Sequence, residues 1–377
     1  MVEVGKIGDK TLVLDGRYIS IFKARELLWK KAYMGYLLPD GNLYMYRRRV
    51  RITELSGNTL TDYQVKIEIG AGDPIFAHAR SAGEDIRFCY YPEENMIPHW
   101  IEKFDPVAEE AIIWVKVPSI PANSEIEIYM YYGNPTVASG SDASATFIRV
   151  IDGLVGSWHL DEGSGDIAHD TSGNDYHGTI YGAKWVDGKF GKALEFDGVD
   201  DYVDLGPGSR YNSANGAFEA WVLADVLGDD DRLIEDRDGA PEYMQGGSWN
   251  AGTISFYITD NHVDAGGLST GVWYHVVFVW GSEGMKLYIN GELKDTDPYT
   301  GSWESSKNME IAGDGGFANQ RWNGKVDEVR FYNRILTPEE ISDLYNNYGY
   351  TTTNYPGKVL VKKYTEPEPS VSVGAEE

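Results

Sequence analysis

One cysteine in 377 residues leaves no partner for an intrachain disulfide. Cys89 sits in the apolar run IRFCYY, which predicts a buried structural thiol rather than a nucleophile. No stretch approaches the 18 or so apolar residues that a membrane-spanning helix needs. The opening MVEVGKIGDK lacks the apolar centre of a secretory leader. Two readings follow: a leader trimmed from the mature chain, or a protein that never needed export, such as a virion component released by lysis. Positive charge is also scarce. Lys and Arg total 33 against 59 Asp and Glu, a net charge of -26. Such a body cannot neutralise phosphates, which excludes nucleic acid as a partner. It suits solubility, neutral glycans and divalent cations. Catalytic signatures are missing as well: no Gly-x-Ser-x-Gly, no His-Glu-x-x-His and no phosphate loop. The seven histidines are scattered.

The charge is unevenly spread. Residues 1–51 hold 11 Lys and Arg against 5 Asp and Glu, whereas the remainder holds 22 against 54. Residues 1–46 therefore read as a separate attachment or assembly segment. It contains the strand-like TLVLDG and SIFKARELLWKKA, whose Ile21, Ala24, Leu27, Leu28 and Ala32 recur at helical spacing after a capping Ser20. Residues 47–147 alternate apolar and polar in RRVRIT, YQVKIEI, AIIWVKVP and SEIEIYMYYG, the period of β-strands. The small polar stretch GNPTVASGSDAS reads as a linker. Residues 148–350 form a longer, turn-rich β domain, with Asn290-Gly291 closing a two-residue hairpin. Thr337, Pro338 and Glu340 open one helix with a capping box, and Gly349 is expected to stop it. Residues 351–377 read as one strand and a mobile tail. The fold class is all-β: two tandem β-sandwich domains behind a short N-terminal appendage.

Three stretches of the second domain carry a family resemblance: GLVGSWHLDEGSGDIAHDTSGNDYHGTIYG, GKALEFDGVDDYVDLG and GKVDEVRFYNRILTPEEISDLY. With WYHVVFVW and MKLYINGEL, this order and spacing resembles the concanavalin A-like, laminin-G-like jelly rolls. The resemblance implies a two-sheet sandwich, sugar binding and one calcium ion. In the first domain, GEDIRFCYYPEENMIPHWIEKFDP and AIIWVKVPSIPANSEIEIYMYYGNP resemble a domain family of unknown function. That family often precedes laminin-G-like domains in archaeal and bacterial surface proteins.

Calcium wants six to eight oxygen ligands, backbone carbonyls included. Asp170, Asn174 and His177 lie in the turn-forming DTSGNDYHG, and Asp327 comes from a late strand. The resemblance places the ion between that loop and the Asp-Glu-Val strand, with the carbonyls of Asn174 and His177 turned inward. The alternative is that Asp170 merely caps a turn. A second cluster, Asp197, Asp200, Asp201 and Asp204, reads as a tight turn, and GDDDRLIEDRDG as a solvated loop. Sugar binding needs a flat aromatic with polar groups beside it. The loop residues Arg237, Tyr243, Trp249, Trp303, Asn319, Arg321 and Trp322 are the candidates, with Phe317, Gln245 and Asn250 nearby. Trp221, Trp273, Phe278 and Trp280 sit in apolar strands and read as core.

Glucanases of this fold use Glu-x-Asp-x-x-Glu, and no such run occurs. Asp327-Glu328 comes nearest, but neighbours on a strand face opposite ways. The expected protein is a non-catalytic adhesin of the cell surface, the extracellular space or a virion, such as a tail fibre. It would bind a cell-surface glycan without entering the membrane. Residues 1–46 would mediate homo-oligomers or assembly, where symmetry adds avidity. The alternatives are a purely structural assembly protein and a carbohydrate-active hydrolase.

Overall fold

The computed structural model describes residues 2–7, 10–14, 35–90, 95–228, 231–236, 244–250, 252–301, 303, 307–313 and 320–377. Only the backbone is described for 2–7, 10–14, 249 and 250. The helix expected between residues 20 and 32 lies outside them. Two compact units emerge, one of residues 1–146 and 365–377, the other of 147–364.

In the first unit, Leu60–Ile69, Glu110–Ile120 and His99–Asp105 make a three-stranded antiparallel sheet. A five-stranded sheet runs Ser370–Glu376, Tyr46–Thr53, Glu125–Tyr132, Arg87–Tyr90 and Asn95–Ile97. Alternation makes the core: Val50 and Ile52, Val65 and Ile67, Ile113 and Val115, and Ile128 and Met130 are buried in one cluster. Arg47, Arg49 and Arg51 take the other face of their strand and pair there with Glu377 and Glu127. Arg47 also lies 4.5 Å over the Tyr36 ring and 4.6 Å over that of Tyr129. Cys89 is buried, its Sγ 3.3 Å from Met96 Sδ, as the apolar run predicts.

The tail departs from expectation. Ser370–Glu376 is no mobile end but the edge strand of the five-stranded sheet. Val371 and Val373 pack on the core, Glu376 accepts from Tyr132 at 2.7 Å, and Arg48 donates to the Gly374 carbonyl at 2.7 Å. The first unit is thus completed by chain that follows the second, and alternating Val-x-Val is the signal that marks it.

The second unit, which begins at residue 147, is a sandwich of two eight-stranded sheets. One contains Asn323–Tyr332 between Lys192–Asp197 and Gly216–Ala224, followed by Trp273–Trp280, Met285–Ile289 and Glu292–Asp297. The other ends in Met244–Asn250, Thr253–Ile258 and Asn261–Gly266. Between them lie Trp158, Phe218, Phe256, Phe278, Trp280 and Phe331. The outer face of the first sheet is covered too. Ala217, Val277, Val279 and Tyr332 pack under Leu336, Ile341, Leu344, Val359 and Val361. The sheet is therefore the middle of three layers.

The Asn290-Gly291 hairpin forms with φ of +53° and +78°, as a two-residue turn of this kind demands. The capping box of Thr337 and Glu340 is present, but the helix is Pro338–Asn346 and stops before the expected Gly349. Asn347 is extended, and Gly349 belongs to the strand Tyr348–Tyr350. Arg330 donates to the Gly349 carbonyl at 2.5 Å, and a Cβ at 349 would stand 3.1 Å from Arg330, Leu344 and Val359. That glycine serves close packing rather than helix termination.

Deleting residues 365–377 should lower the unfolding midpoint of the first unit and leave that of the second unchanged. Differential scanning calorimetry that resolves two transitions checks this. An unchanged first transition would mean that the edge strand adds nothing to the unit it completes.

Candidate functional site

Asp170 is buried at the centre of its loop. Its Oδ1 accepts the backbone N–H groups of Ser157 and Ser172, both at 2.9 Å. Its Oδ2 accepts the Ser172 hydroxyl at 2.8 Å and the Tyr176 N–H at 2.9 Å. Four donors occupy the four lone-pair positions of the carboxylate. Asn174 donates to the Val155 carbonyl at 2.8 Å, and His177 Nδ1 accepts the Asp170 N–H at 3.0 Å. This is the turn-capping role.

Asp327 is fully buried on the middle sheet. Its Oδ2 accepts from the N–H groups of Lys189 and Phe190 at 2.8 and 3.0 Å, whereas Oδ1 has no hydrogen-bond partner among the described residues. The Asp170 and Asp327 carboxylates and the His177 ring form no group of three with ligand atoms within 4.8 Å of one another. Among the described residues, Asp197, Asp200 and Asp201 form the one group of three with such atoms within 4.8 Å of one another. The two carboxylates of the expected calcium set are engaged separately: the protein fills the acceptor positions of Asp170, and Asp327 belongs to another cluster. Within the 197–201 turn the carboxylates serve the backbone, Asp197 accepting from Val199 and Asp201 from Asp197. Asp204 accepts from Gly206 N–H and Asn308 Nδ2.

Asp327 and Glu328 do not face opposite ways. Glu219 stands opposite Arg330, and Trp221 opposite Asp327, so Ala220 faces both Glu328 and Val329. This is a β-bulge, with Glu328 at φ +53°. It turns Glu328 to the face of Asp327 and Arg330, and a chain of buried polar groups results. Glu219 accepts from Arg330 at 3.0 Å and from the Tyr332 hydroxyl at 2.5 Å, and meets His275 Nε2 at 3.1 Å. Arg330 also bridges to Glu328, which meets His159 Nδ1 at 2.9 Å. His159 Nε2 reaches the Thr351 hydroxyl at 2.7 Å. Burial raises the Glu219 carboxyl, but Arg330, His275 and the Tyr332 hydroxyl together outweigh it and hold it below the usual range. Burial pushes Asp327 well above it, and the fields of Glu328 and Asp161 add to the rise. Asp161, partly desolvated beneath the 188–192 loop with its outer edge in solvent, is pushed up to about 6.

The candidate sugar contacts divide. Trp303 and Trp322 are core residues, buried in the main cluster of the sandwich. Arg321 is half-buried, 4.8 Å over the Tyr202 ring and 3.4 Å from the Asp201 carbonyl. Gln245 is buried. Arg237, Tyr243, Phe317 and Asn319, and the side chains of Trp249 and Asn250, lie outside the described residues. Sequence reasoning overlooks a groove of about 370 Å³ where the Asn261–Gly266 strand, the Asn290-Gly291 hairpin and the Pro338–Asn346 helix meet. Tyr274, Asn290, Glu292, Lys294 and Tyr345 line it. Asn290 reads in sequence as a turn former and Tyr345 as a helix residue, and no motif joins them.

Two stacked sheets with this strand order, a covered outer face and a closing helix define the second unit, and residues 197–342 match the model of the concanavalin A-like lectin/glucanases superfamily. The second unit carries a concanavalin A-like domain. The match begins later than the structural unit, although the strands from Leu154–Trp158 to Lys192–Asp197 belong to the same two sheets. Residues 82–161 match a domain of unknown function, DUF2341. That match starts inside the first unit and runs past residue 147, beyond the expected boundary. The human adhesion G-protein coupled receptor D1 is 36% identical over 104 residues, 25% of this chain and 12% of the receptor. Its bovine counterpart is 36% identical over 75 residues, 19% of this chain and 8% of the receptor. The chain thus spans a small fraction of the length of these relatives. Among solved structures, domain 4 of AbnA, a GH43 extracellular arabinanase from Geobacillus stearothermophilus in complex with arabinotriose, aligns with a TM-score of 0.44. Its identity is 20%, over 52% of this chain and 98% of that one. The binding domain of Paraclostridial Mosquitocidal Protein 1 aligns with a TM-score of 0.43 at 18% identity, over 52% of each chain.

The buried acids give the concanavalin A-like domain a pH signature. A carboxyl whose folded pKa is raised contributes stability that is complete below its unfolded value and lost as pH rises through the folded one. For Asp161 that window runs from about 4 to about 6, and for Asp327 it extends further upward. Lowering the pH from 8 to 5 should therefore raise this domain's unfolding midpoint. Asp327→Asn should raise it at pH 8 by about 2–4 °C, the effect of ~1 kcal/mol in a domain of this size. Millimolar calcium should leave the wild-type midpoint unmoved. Calorimetry with calcium and with chelator checks both, and a calcium shift abolished by Asp327→Asn would restore a metal role for that carboxylate.

Proposed function

We propose that this chain is a non-catalytic extracellular or surface adhesin whose concanavalin A-like domain binds carbohydrate. The match of that domain to a lectin and glucanase superfamily carries the reading. The superfamily name covers binding and hydrolysis, and the placement of the acids favours binding. Glycosidases need two carboxyl groups flanking a bond that substrate can reach. Glu219, Asp327 and Glu328 are each no more than 1% exposed, and the helix and the strands after it lie over their face. A polysaccharide has no path to them. The partial likeness to adhesion receptors is consistent with a surface location. Among the described residues, no helix is long and apolar enough to cross a membrane. A virion or tail-fibre setting, oligomers and assembly through residues 1–46 form the finer part of the proposal. The basic character of that segment against an acidic body supports it.

The test is binding of the full chain to a glycan array and to intact cells, beside hydrolysis assays on the glycans retained. Retention of a defined glycan class without turnover is the expected result. Turnover abolished by replacing a single acidic residue would make the chain a hydrolase. Retention of nothing would favour a purely structural role.

A further inference from the structure

We propose that the groove lined by Tyr274, Asn290, Glu292, Lys294 and Tyr345 is the saccharide site of the concanavalin A-like domain, and that its ligand is a neutral mono- or disaccharide. The assignment rests on the carbohydrate-binding reading above and gives it a place. The cavity of about 370 Å³ lies at the small end of ligand-site volumes, ~300–1,000 Å³. That suits one or two sugar rings and is too little for a longer chain to be enclosed.

Its walls have the chemistry that sugars require. Tyr345 is half-buried, and its ring is stacked with Trp221 at 5.8 Å and 24° and with His275 at 6.1 Å and 26°. A ring so held offers a flat apolar face to the C–H side of a pyranose at little cost in side-chain freedom. Tyr274 is also half-buried, and its hydroxyl accepts the Ser269 N–H at 3.1 Å. Asn290 is locked twice to His275, accepting its N–H at 2.9 Å and donating its own N–H to the His275 carbonyl at 2.8 Å. The Asn290 Nδ2 hydrogens have no protein partner among the described residues, which leaves a fixed donor for a hydroxyl. Glu292 and Lys294 pair at 2.6 Å on the rim, 76% and 39% exposed. Together they supply an acceptor and a donor with no net charge, which favours a neutral ligand over an anionic one. Gly267 opens the remaining side: a Cβ there would meet nothing within 4 Å.

A peptide strand is the weaker occupant. The adjoining edge strand Asn261–Gly266 has its Asp264 N–H already satisfied by the Asp295 carboxylate at 2.9 Å, which blunts strand addition.

The experiment titrates the ¹⁵N-labelled full chain with the methyl glycosides of glucose, galactose, mannose and N-acetylglucosamine, and with lactose, up to about 10 mM, the weak range expected of a small open site. The expected result is a saturable shift for at least one sugar, confined to the amides of residues 265–268 and 289–294. Lys294→Ala and Tyr345→Ala should each raise Kd at least about tenfold. Lys294 is exposed, so its variant keeps the test valid if Tyr345→Ala fails to fold. Saturable shifts elsewhere with Lys294→Ala unchanged would overturn the groove and leave the carbohydrate reading standing. No shift with any sugar, joined to an empty glycan array, would overturn both. An array that retains glycans without any groove shift overturns the groove alone.

Discussion

Arg330 is the residue on which the second unit turns. Its guanidinium lies at the middle of the outer face of a sheet covered on both sides, where an unpaired charge would be prohibitive. Glu219 and Glu328 flank it, and the Gly349 carbonyl accepts a hydrogen bond from it. That last bond fastens the strand after the helix to the sheet beneath. A buried ion pair is seldom a net gain over apolar packing, yet breaking one typically costs about 3–5 kcal/mol. Its value is positional. Apolar contacts among Val277, Leu344 and Val359 would tolerate a sliding helix, but a guanidinium with three directed partners does not.

The bulge is what makes this arrangement possible. In an unbroken strand Glu328 would enter the apolar interior beside Val326. The extra residue opposite Ala220 returns it to the polar face, where Arg330 and His159 receive it. One left-handed residue thereby turns a run that alternates on paper into a cluster of acids. Asp327 bears the cost. It shares the face and lies in the fields of Glu328 and Asp161, with one oxygen unmet by the protein.

Much of the architecture was legible in sequence because strand alternation, hairpin chemistry and helix capping are local. Asn290-Gly291 and Thr337-Pro338 declare themselves within a few residues. What was not legible depends on pairing partners far along the chain. Val371 and Val373 read as tail until Tyr46–Thr53 is known to lack a neighbour on that side. Asp327 and Glu328 read as opposed until the register with Gly216–Ala224 reveals the bulge. Trp303 and Trp322 read as exposed because loops are usually outside, whereas both side chains are buried in the core. The turn-capping alternative for Asp170 is legible in its loop, but three of its four donors are backbone N–H groups that carry no mark in the sequence. The groove was invisible for the same reason: Tyr274, Asn290 and Tyr345 come from three elements.

The buried chain and the groove are physically continuous. Trp221 stands opposite Asp327 in the sheet and stacks with Tyr345, while His275 meets Glu219 through its ring and Asn290 through its backbone. The aromatic wall and the amide of the groove are thus both positioned by residues that touch the charged layer. Weak ligands such as sugars return little binding energy per contact, so a site for them gains from walls ordered before the ligand arrives. Here the ordering is done by folding. The free energy that fixes Tyr345 and Asn290 is spent when the helix docks on Arg330 and its neighbours. The entry and exit of the unit are tied by the same logic. Arg149–Asp152 pairs with Lys358–Lys362, so the chain leaves beside where it came in and can return to finish the first unit. A domain inserted through such a paired neck can hold a rigid site without asking its host to deform.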